Sequence, residues 1–267
     1  MTENPSPQPS AQQIFNEIVQ RILAATEPTE MVYTDVDPDD GLLICRMLEE
    51  NREVERENPR TSYNSKTRHL FASVMRPVHY YVPPRWMLNS IINWLLDGGT
   101  AGLESMRGMN FGIGQRLKNF TGPYASSVQQ PDFYMSGSTM DNPTIVVESG
   151  WPESLDRLQI DKDLWLRGTT KVEIVVLVIW SETEDDKVEG TVEVWTRDGA
   201  DDVAVRRLAI FPAPDPLPTD DRVEFTKGQL FGPAAPLANP TTILSLEMSE
   251  LRRIAQQIIS KIELSPA

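Results

Sequence analysis

Pro143-Thr144-Ile145-Val146-Val147-Glu148-Ser149-Gly150, followed by Val172-Glu173-Ile174-Val175-Val176-Leu177-Val178-Ile179-Trp180, is the stretch whose reading decides the fold. The second run is nearly continuous in β-branched residues, as expected of a central strand buried on both faces. The first is a shorter strand that ends on an acid. Between them Pro152 to Arg167 carries a helical pattern stopped by Gly168. Strand, helix, strand is a βαβ unit, so the two strands are expected to be parallel.

Upstream, Asp132 to Met135 reads as another short strand, joined to the Glu148 strand by a Gly/Ser/Asp/Asn turn. Pro83-Pro84 opens a helix whose Trp86, Ile91, Trp94 and Leu95 build one face, ended by Asp97-Gly98-Gly99. Leu70 to Met75 is a short strand, and residues 51–66 are polar enough to read as an exposed loop. Gly112-Ile113-Gly114 lacks the third glycine of a dinucleotide fingerprint, since position 117 is Leu117, and reads as a bend. Ile14, Phe15, Ile18, Val19 and Ile22 space themselves as a helix. Residues 1–12, rich in Pro, Ser and Gln, are expected to be disordered. Asp35 to Gly41 has an acidic spacing that fails an EF-hand at Asp40 and Arg46, and reads as a cap for the helix Leu42 to Leu48. Downstream, Val188 to Thr196 and Val203 to Phe211 read as outer strands around Asp198-Gly199. Pro212 to Pro218 is a connector. Leu251, Ile254, Ile258 and Ile262 mark a C-terminal amphipathic helix.

Composition bounds the function. The chain has 267 residues, 39 Asp+Glu against 25 Lys+Arg, and a formal charge of −14. That balance disfavours a general nucleic-acid coat, because phosphate binding draws on Lys and Arg. The charge is uneven: residues 1–59 carry −9, 60–120 carry +6, 121–180 carry −4 and 181–267 carry −7. Nucleic acid is therefore the expected partner of the basic 60–120 segment. One cysteine, Cys45, excludes an internal disulfide, and with only His69 and His79 a Cys/His zinc site is not expected. No signal peptide and no membrane-length apolar run are visible, so an intracellular location, cytoplasmic or nuclear, with no membrane association is expected. Asn119-Phe120-Thr121 is a sequon without a secretory context. His79, among Val78, Tyr80 and Tyr81, reads as a packed ring. Neither a Gly-x-Ser-x-Gly elbow nor a Walker loop occurs. Trp151, Trp165, Trp180 and Trp195 read as packing residues.

On a helical wheel from Pro152, Leu155, Leu158, Trp165 and Leu166 share one arc, and Lys162 lies inside it. A lysine on a core face loses hydration unless an anion receives its ammonium. Glu148 is the nearest candidate, and a bare structural ion pair is one reading of the two. A hairpin bringing Asp132 to Glu148 adds a second carboxylate. Paired carboxylates call for a cation, and oxygen ligands suit Mg²⁺ or Mn²⁺. With Lys162 to hold a phosphate, that is equipment for metal-assisted phosphodiester hydrolysis.

Pro131-Asp132 and Pro143 to Ser149 resemble the motif of the PD-(D/E)XK restriction-endonuclease-like superfamily. The lysine usually found two residues after the acid is replaced by Gly150. The closer resemblance is to stand-alone putative restriction endonuclease domains, in which the lysine sits on the helix. Here Glu148, Ser149, Ser154, Asp156, Asp161, Lys162, Trp165 and Gly168 follow that pattern. Val146 to Trp151, Glu153-Ser154 and Asp161 to Leu166 also resemble a group of uncharacterised fungal proteins. The resemblance implies an α/β fold, a restriction-endonuclease-like mixed sheet flanked by helices. Its αβββαβ core is joined by extra strands and by N- and C-terminal helices. It divides the chain into a tail (1–12), an N-terminal helical extension (13–60) and the nuclease-like domain (61–267, core 84–180), with Pro84 to Leu96 as the first helix. It makes Asp132, Glu148 and Lys162 catalytic, with Mg or Mn held by Asp132, Glu148 and Ser149. The first helix lacks the acid that many members carry there. The alternative is a catalytically inactive version of the fold that acts as a protein-interaction module.

Overall fold

The computed structural model describes residues 9–96, 107–137, 142–151, 155–198, 202–232 and 239–267. The chain forms two compact units, residues 1–77 with 120–130, and residues 78–119 with 131–267. The division differs from the expected boundary at 60/61, because two strands, Arg60–Asn64 and His69–Val74, lie within the first unit.

In the first unit, Ser10 caps α1 (Ala11–Ala24) through a capping box with Gln13, and Ile14, Ile18 and Ile22 are buried. β1 (Thr29–Tyr33) follows. Asp37 caps α2 (Pro38–Glu50) by accepting from the Asp39 N–H, with Asp39 and Asp40 in the first turn, the role the acidic run implies. The stretch 51–66 is ordered rather than a loop. It contains α3 (Arg52–Arg56) and β2 (Arg60–Asn64), in which Thr61, Tyr63 and Asn64 are buried. β2 and β1 flank β3 (His69–Val74) antiparallel. Polar side chains disguise β2 because Tyr63 is anchored by its hydroxyl, which donates to the Val36 carbonyl at 2.8 Å.

The second unit is mixed α/β, a curled mixed sheet flanked by helices. α4 (Val82–Leu96) buries Trp86, Ile91 and Trp94, while Leu95 is exposed. The Asp97-Gly98-Gly99 stop lies outside the described residues. β4 (Met109–Gly112) is a sheet strand that includes Gly112, where a bend was expected. β5 (Phe133–Gly137) and β6 (Ile145–Gly150) are antiparallel, and their turn lies outside the described residues. α5 (Leu155–Gly168) then crosses to β7 (Ile174–Glu182), which pairs with β6 in parallel, as the βαβ pattern predicts. β8 (Lys187–Asp198) and β9 (Asp202–Phe211) continue antiparallel.

β10 (Arg222–Thr226) leads into the short α6 (Lys227–Phe231). β11 (Ile243–Glu247) pairs with β10 and runs into α7 (Met248–Ile259). β12 (Ser265–Pro266) lies parallel to β8. The order β12-β8-β7-β6-β5-β4, with β9 also on β8, makes β8 an interior strand rather than an outer one.

Packing fixes the layers. Phe133, Met135, Val147, Val176, Val178 and Trp180 belong to one core cluster with residues of α4 and α7. Trp86 and Trp94 donate their indole N–H groups to the Glu247 and Ser245 carbonyls, tying α4 to β11. α5 covers the opposite sheet face with Leu158, Asp161, Leu164 and Trp165 buried and Leu155 exposed, so the buried stripe is rotated from the arc expected. Arg197 on β8 caps the C-terminus of α5, its guanidinium reaching the carbonyls of Leu166, Thr169 and Val172. Among the described residues no helix is long and apolar enough to cross a membrane.

Candidate functional site

Strand register brings the two predicted carboxylates together. Phe133 faces Val147 across β5 and β6, so one step further along the pair Asp132 faces Glu148. Both are buried, at 2% and 6% exposure. The Ser149 N–H donates to Asp132 Oδ2 at 2.7 Å, and the Asp132 N–H points at Glu148 Oε2 at 3.4 Å. A strand residue directs its N–H and C=O to the same side, so the Ser149 carbonyl also faces the β5 side. The Ser149 hydroxyl belongs to the other sheet face, where it accepts from the Trp180 indole at 3.1 Å.

From above, Trp165 donates its indole N–H to Glu148 Oε1 at 2.9 Å. A buried carboxylate with such donors recovers part of the hydration it has lost. Nothing in the spacing of Glu148 and Trp165 announces this bond, because it forms only when α5 docks on the sheet.

Lys162 is placed elsewhere on the same face. Its Nζ binds Gln159 Oε1 at 3.0 Å and Asp163 Oδ1 at 3.2 Å, and lies 4.1 Å from the centroid of the Trp195 ring. Val175 separates Val146 on β6 from Trp195 on β8 in the cross-strand register. At the usual strand spacing the backbone of Trp195, whose ring the amine covers, lies about 10 Å across the sheet from β6. Its side chain is 12% exposed, and its charge is satisfied without Glu148.

The same sheet face carries a further buried acid. Glu148, Leu177, Glu193 and Arg207 are successive cross-strand neighbours on β6 to β9. Glu193 is held by Arg207 Nε at 2.8 Å and the Trp195 indole at 2.9 Å, a buried acid paired with an exposed arginine. Asp161, also buried, lies 3.9 Å from Arg157 Nε, and Asp156 is exposed. Ser154 and the His79 side chain lie outside the described residues. His69 stacks on Phe71 in the first unit, with Nδ1 2.7 Å from the Thr67 carbonyl, and takes no part in this site.

Among the described residues no third carboxylate, histidine or cysteine joins Asp132 and Glu148 in a metal-sized cluster. Among the described residues, the oxygen donors that the pair brings are two carboxylates and the Ser149 main-chain carbonyl. Comparison with family models, with curated proteins and with solved structures finds no match.

Proposed function

We propose that this chain is a divalent-metal-dependent nuclease, or a protein derived from one, with Asp132 and Glu148 at its centre. The observation that carries the reading is the facing pair of buried carboxylates across β5 and β6, with the main-chain N–H of Ser149 on one of them. The chain order α4-β4-β5-β6-α5-β7, with neighbouring strands paired in sequence, supports it as well. That order is the αβββαβ arrangement implied by the resemblance to PD-(D/E)XK nucleases.

The donor set fits Mg²⁺ or Mn²⁺, hard ions that accept one or two carboxylates and keep several waters. Asp132, Glu148 and the Ser149 carbonyl would hold the ion, which when bound supplies Lewis-acid stabilisation of phosphate charge and an activated water. The chain's own contribution is orientation. Trp165 fixes one oxygen of Glu148, and the Ser149 N–H fixes one oxygen of Asp132. Lys162 is the cation for the phosphate, and reaching it means exchanging the Trp195 face for a phosphate oxygen. The basic 60–120 segment supplies both units: Arg60, Lys66, Arg68 and Arg76 belong to the first, and Arg85, Arg107, Arg116 and Lys118 to the second.

The test is cleavage of supercoiled plasmid, single-stranded DNA and RNA by the full chain with Mn²⁺ or Mg²⁺. Activity should vanish in Asp132→Ala and Glu148→Ala and fall about 100-fold in Lys162→Met. Cleavage that survives Glu148→Ala would place the chemistry elsewhere. A wild-type chain that holds metal at Asp132 and Glu148 but cuts nothing is the nuclease-derived case, an interaction module on the same fold.

A further inference from the structure

A cavity of about 380 Å³ opens on the acid-pair face of the sheet, lined by Asn110, Gln115, Tyr134, Ser136 and Asn142, with Phe111 among its apolar lining residues. Its position follows from the strand alternation. Asp132, Tyr134 and Ser136 project to one face of the β5 line, and Asn110 and Gly112 on β4 pair with Ser136 and Tyr134. At the usual rise, Tyr134 lies about 7 Å and Ser136 about 13 Å along the strand from Asp132.

The cavity is built. The Tyr134 ring crosses β4 over Gly112, where an added Cβ would come within 2.4 Å of the ring. Only glycine at position 112 leaves room for that pose. The Tyr134 hydroxyl donates to Gln115 Oε1, and burial pushes its pKa up, so it remains a neutral donor. Asn142 donates from its amide to the Asn119 carbonyl at 3.4 Å.

The lining chemistry selects a ligand class. Three carboxamides, a phenol and a hydroxyl line the cavity, and among the described residues no carboxylate, amine, guanidinium or imidazole does. Such a surface matches a neutral planar group with alternating donors and acceptors along its edge, and the carboxamide is the side chain that pairs bidentately with a base edge. The volume lies within the roughly 300–1,000 Å³ of small-ligand clefts. Arg107 precedes β4, and Arg116 and Lys118 follow it beside Gln115 and Leu117, so the segments on either side of this strand are basic in a chain of net charge −14.

We propose that this cavity receives an unpaired base of a nucleic-acid strand whose neighbouring phosphodiester lies at Asp132 and Glu148. The inference rests on the nuclease reading for what lies next door, and on the cavity for the base. An unpaired base is required because a base held in a duplex must leave its pair and its stack before it can enter a cavity.

The experiment is fluorescence anisotropy of short labelled single-stranded DNA, single-stranded RNA and the matching duplex with the full chain, without divalent ions, so that nothing is cut. Single strands should bind more tightly than duplex, and comparison of the DNA and RNA arms identifies the sugar. Asn110→Ala with Asn142→Ala should weaken single-strand binding about ten-fold. Asn110→Asp, at an exposed position where folding is not at stake, should weaken it as well. The Mn²⁺-induced thermal shift should be unchanged in these variants. Wild-type binding retained by the cavity variants, or duplex bound in preference to single strands, overturns the proposal. Because the anisotropy is free of metal, failure of the nuclease reading shows separately, as a Mn²⁺ shift that ignores Asp132 and Glu148.

Discussion

Replacing Trp165 by Phe removes one N–H from Glu148 while keeping an aromatic ring under α5. The bond is 2.9 Å long and joins a carboxylate 6% exposed to an indole 1% exposed, so water does not replace the lost donor. A hydrogen bond to a charged group contributes about 1.5–3 kcal/mol, and the smaller ring adds a cavity cost. For a unit of this size each kcal/mol is worth about 2–4 °C, so Trp165→Phe should lower the melting temperature by roughly 4–12 °C. A double-mutant cycle with Glu148→Met separates the bond from the cavity. All six tryptophans fall in residues 78–119 and 131–267, so indole fluorescence during urea unfolding follows that unit alone. The expected coupling energy is about 1.5–3 kcal/mol. A coupling below about 0.5 kcal/mol would refute the claim that Trp165 orients Glu148.

Two further outcomes follow from buried polar groups. Arg252 reaches both Asp221 oxygens and the Ile210 and Ala209 carbonyls, so Arg252→Leu strands a mostly buried acid. The loss should be about 3–5 kcal/mol by urea unfolding, with Asp221→Leu in the same chain recovering part of it; no recovery would mean that packing, not charge, is lost. Tyr63 is fully buried and its pKa is pushed up to about 12, chiefly by desolvation. A raised pKa favours the neutral form, so its stabilisation is complete below pH 10 and fades as pH rises through 12, by up to about 3 kcal/mol. Tyr33, also raised to about 12, acts in the same window, so Tyr63→Phe should remove part of the alkaline loss, and an unchanged pH profile would contradict this.

The parts of this fold that the sequence announces are those where burial is two-sided. β7 is apolar from Ile174 to Trp180 and β6 opens with Ile145, Val146 and Val147, all buried, and the helix between them dictates parallel pairing. β4 escapes notice because a four-residue strand with two exposed positions has no such run, and its Gly112 is kept small by Tyr134. β2 is missed because Thr61 and Tyr63 alternate inward among polar neighbours. β10 and β11 are separated by residues that belong to neither strand, so no tight turn links them in the chain.

At the site, Asp132 and Glu148 are legible because a hairpin register is set by alternation. The wheel places Lys162 on the buried arc, yet docking turns Asp161 and Trp165 inward and sends the lysine to Trp195. Neighbouring helix residues lie about 100° apart, so a modest turn of the docked face decides between Asp161 and Lys162, and only tertiary packing makes that choice. The expected buried pair of Glu148 and Lys162 is thus replaced by two separate arrangements, an indole on the acid and an aromatic face under the amine.

Whether Asp132 and Glu148 hold a divalent ion decides the function proposed for this chain. Thermal unfolding followed by indole fluorescence, with Mn²⁺ titrated into the full chain, reads this directly. At an ion concentration about 100 times the dissociation constant, binding adds about 2.7 kcal/mol, a rise of roughly 5–10 °C. Asp132→Asn with Glu148→Gln should abolish that rise while leaving the metal-free protein folded. A rise of equal size in the double variant, or none in the wild-type chain at millimolar Mn²⁺, would contradict the account.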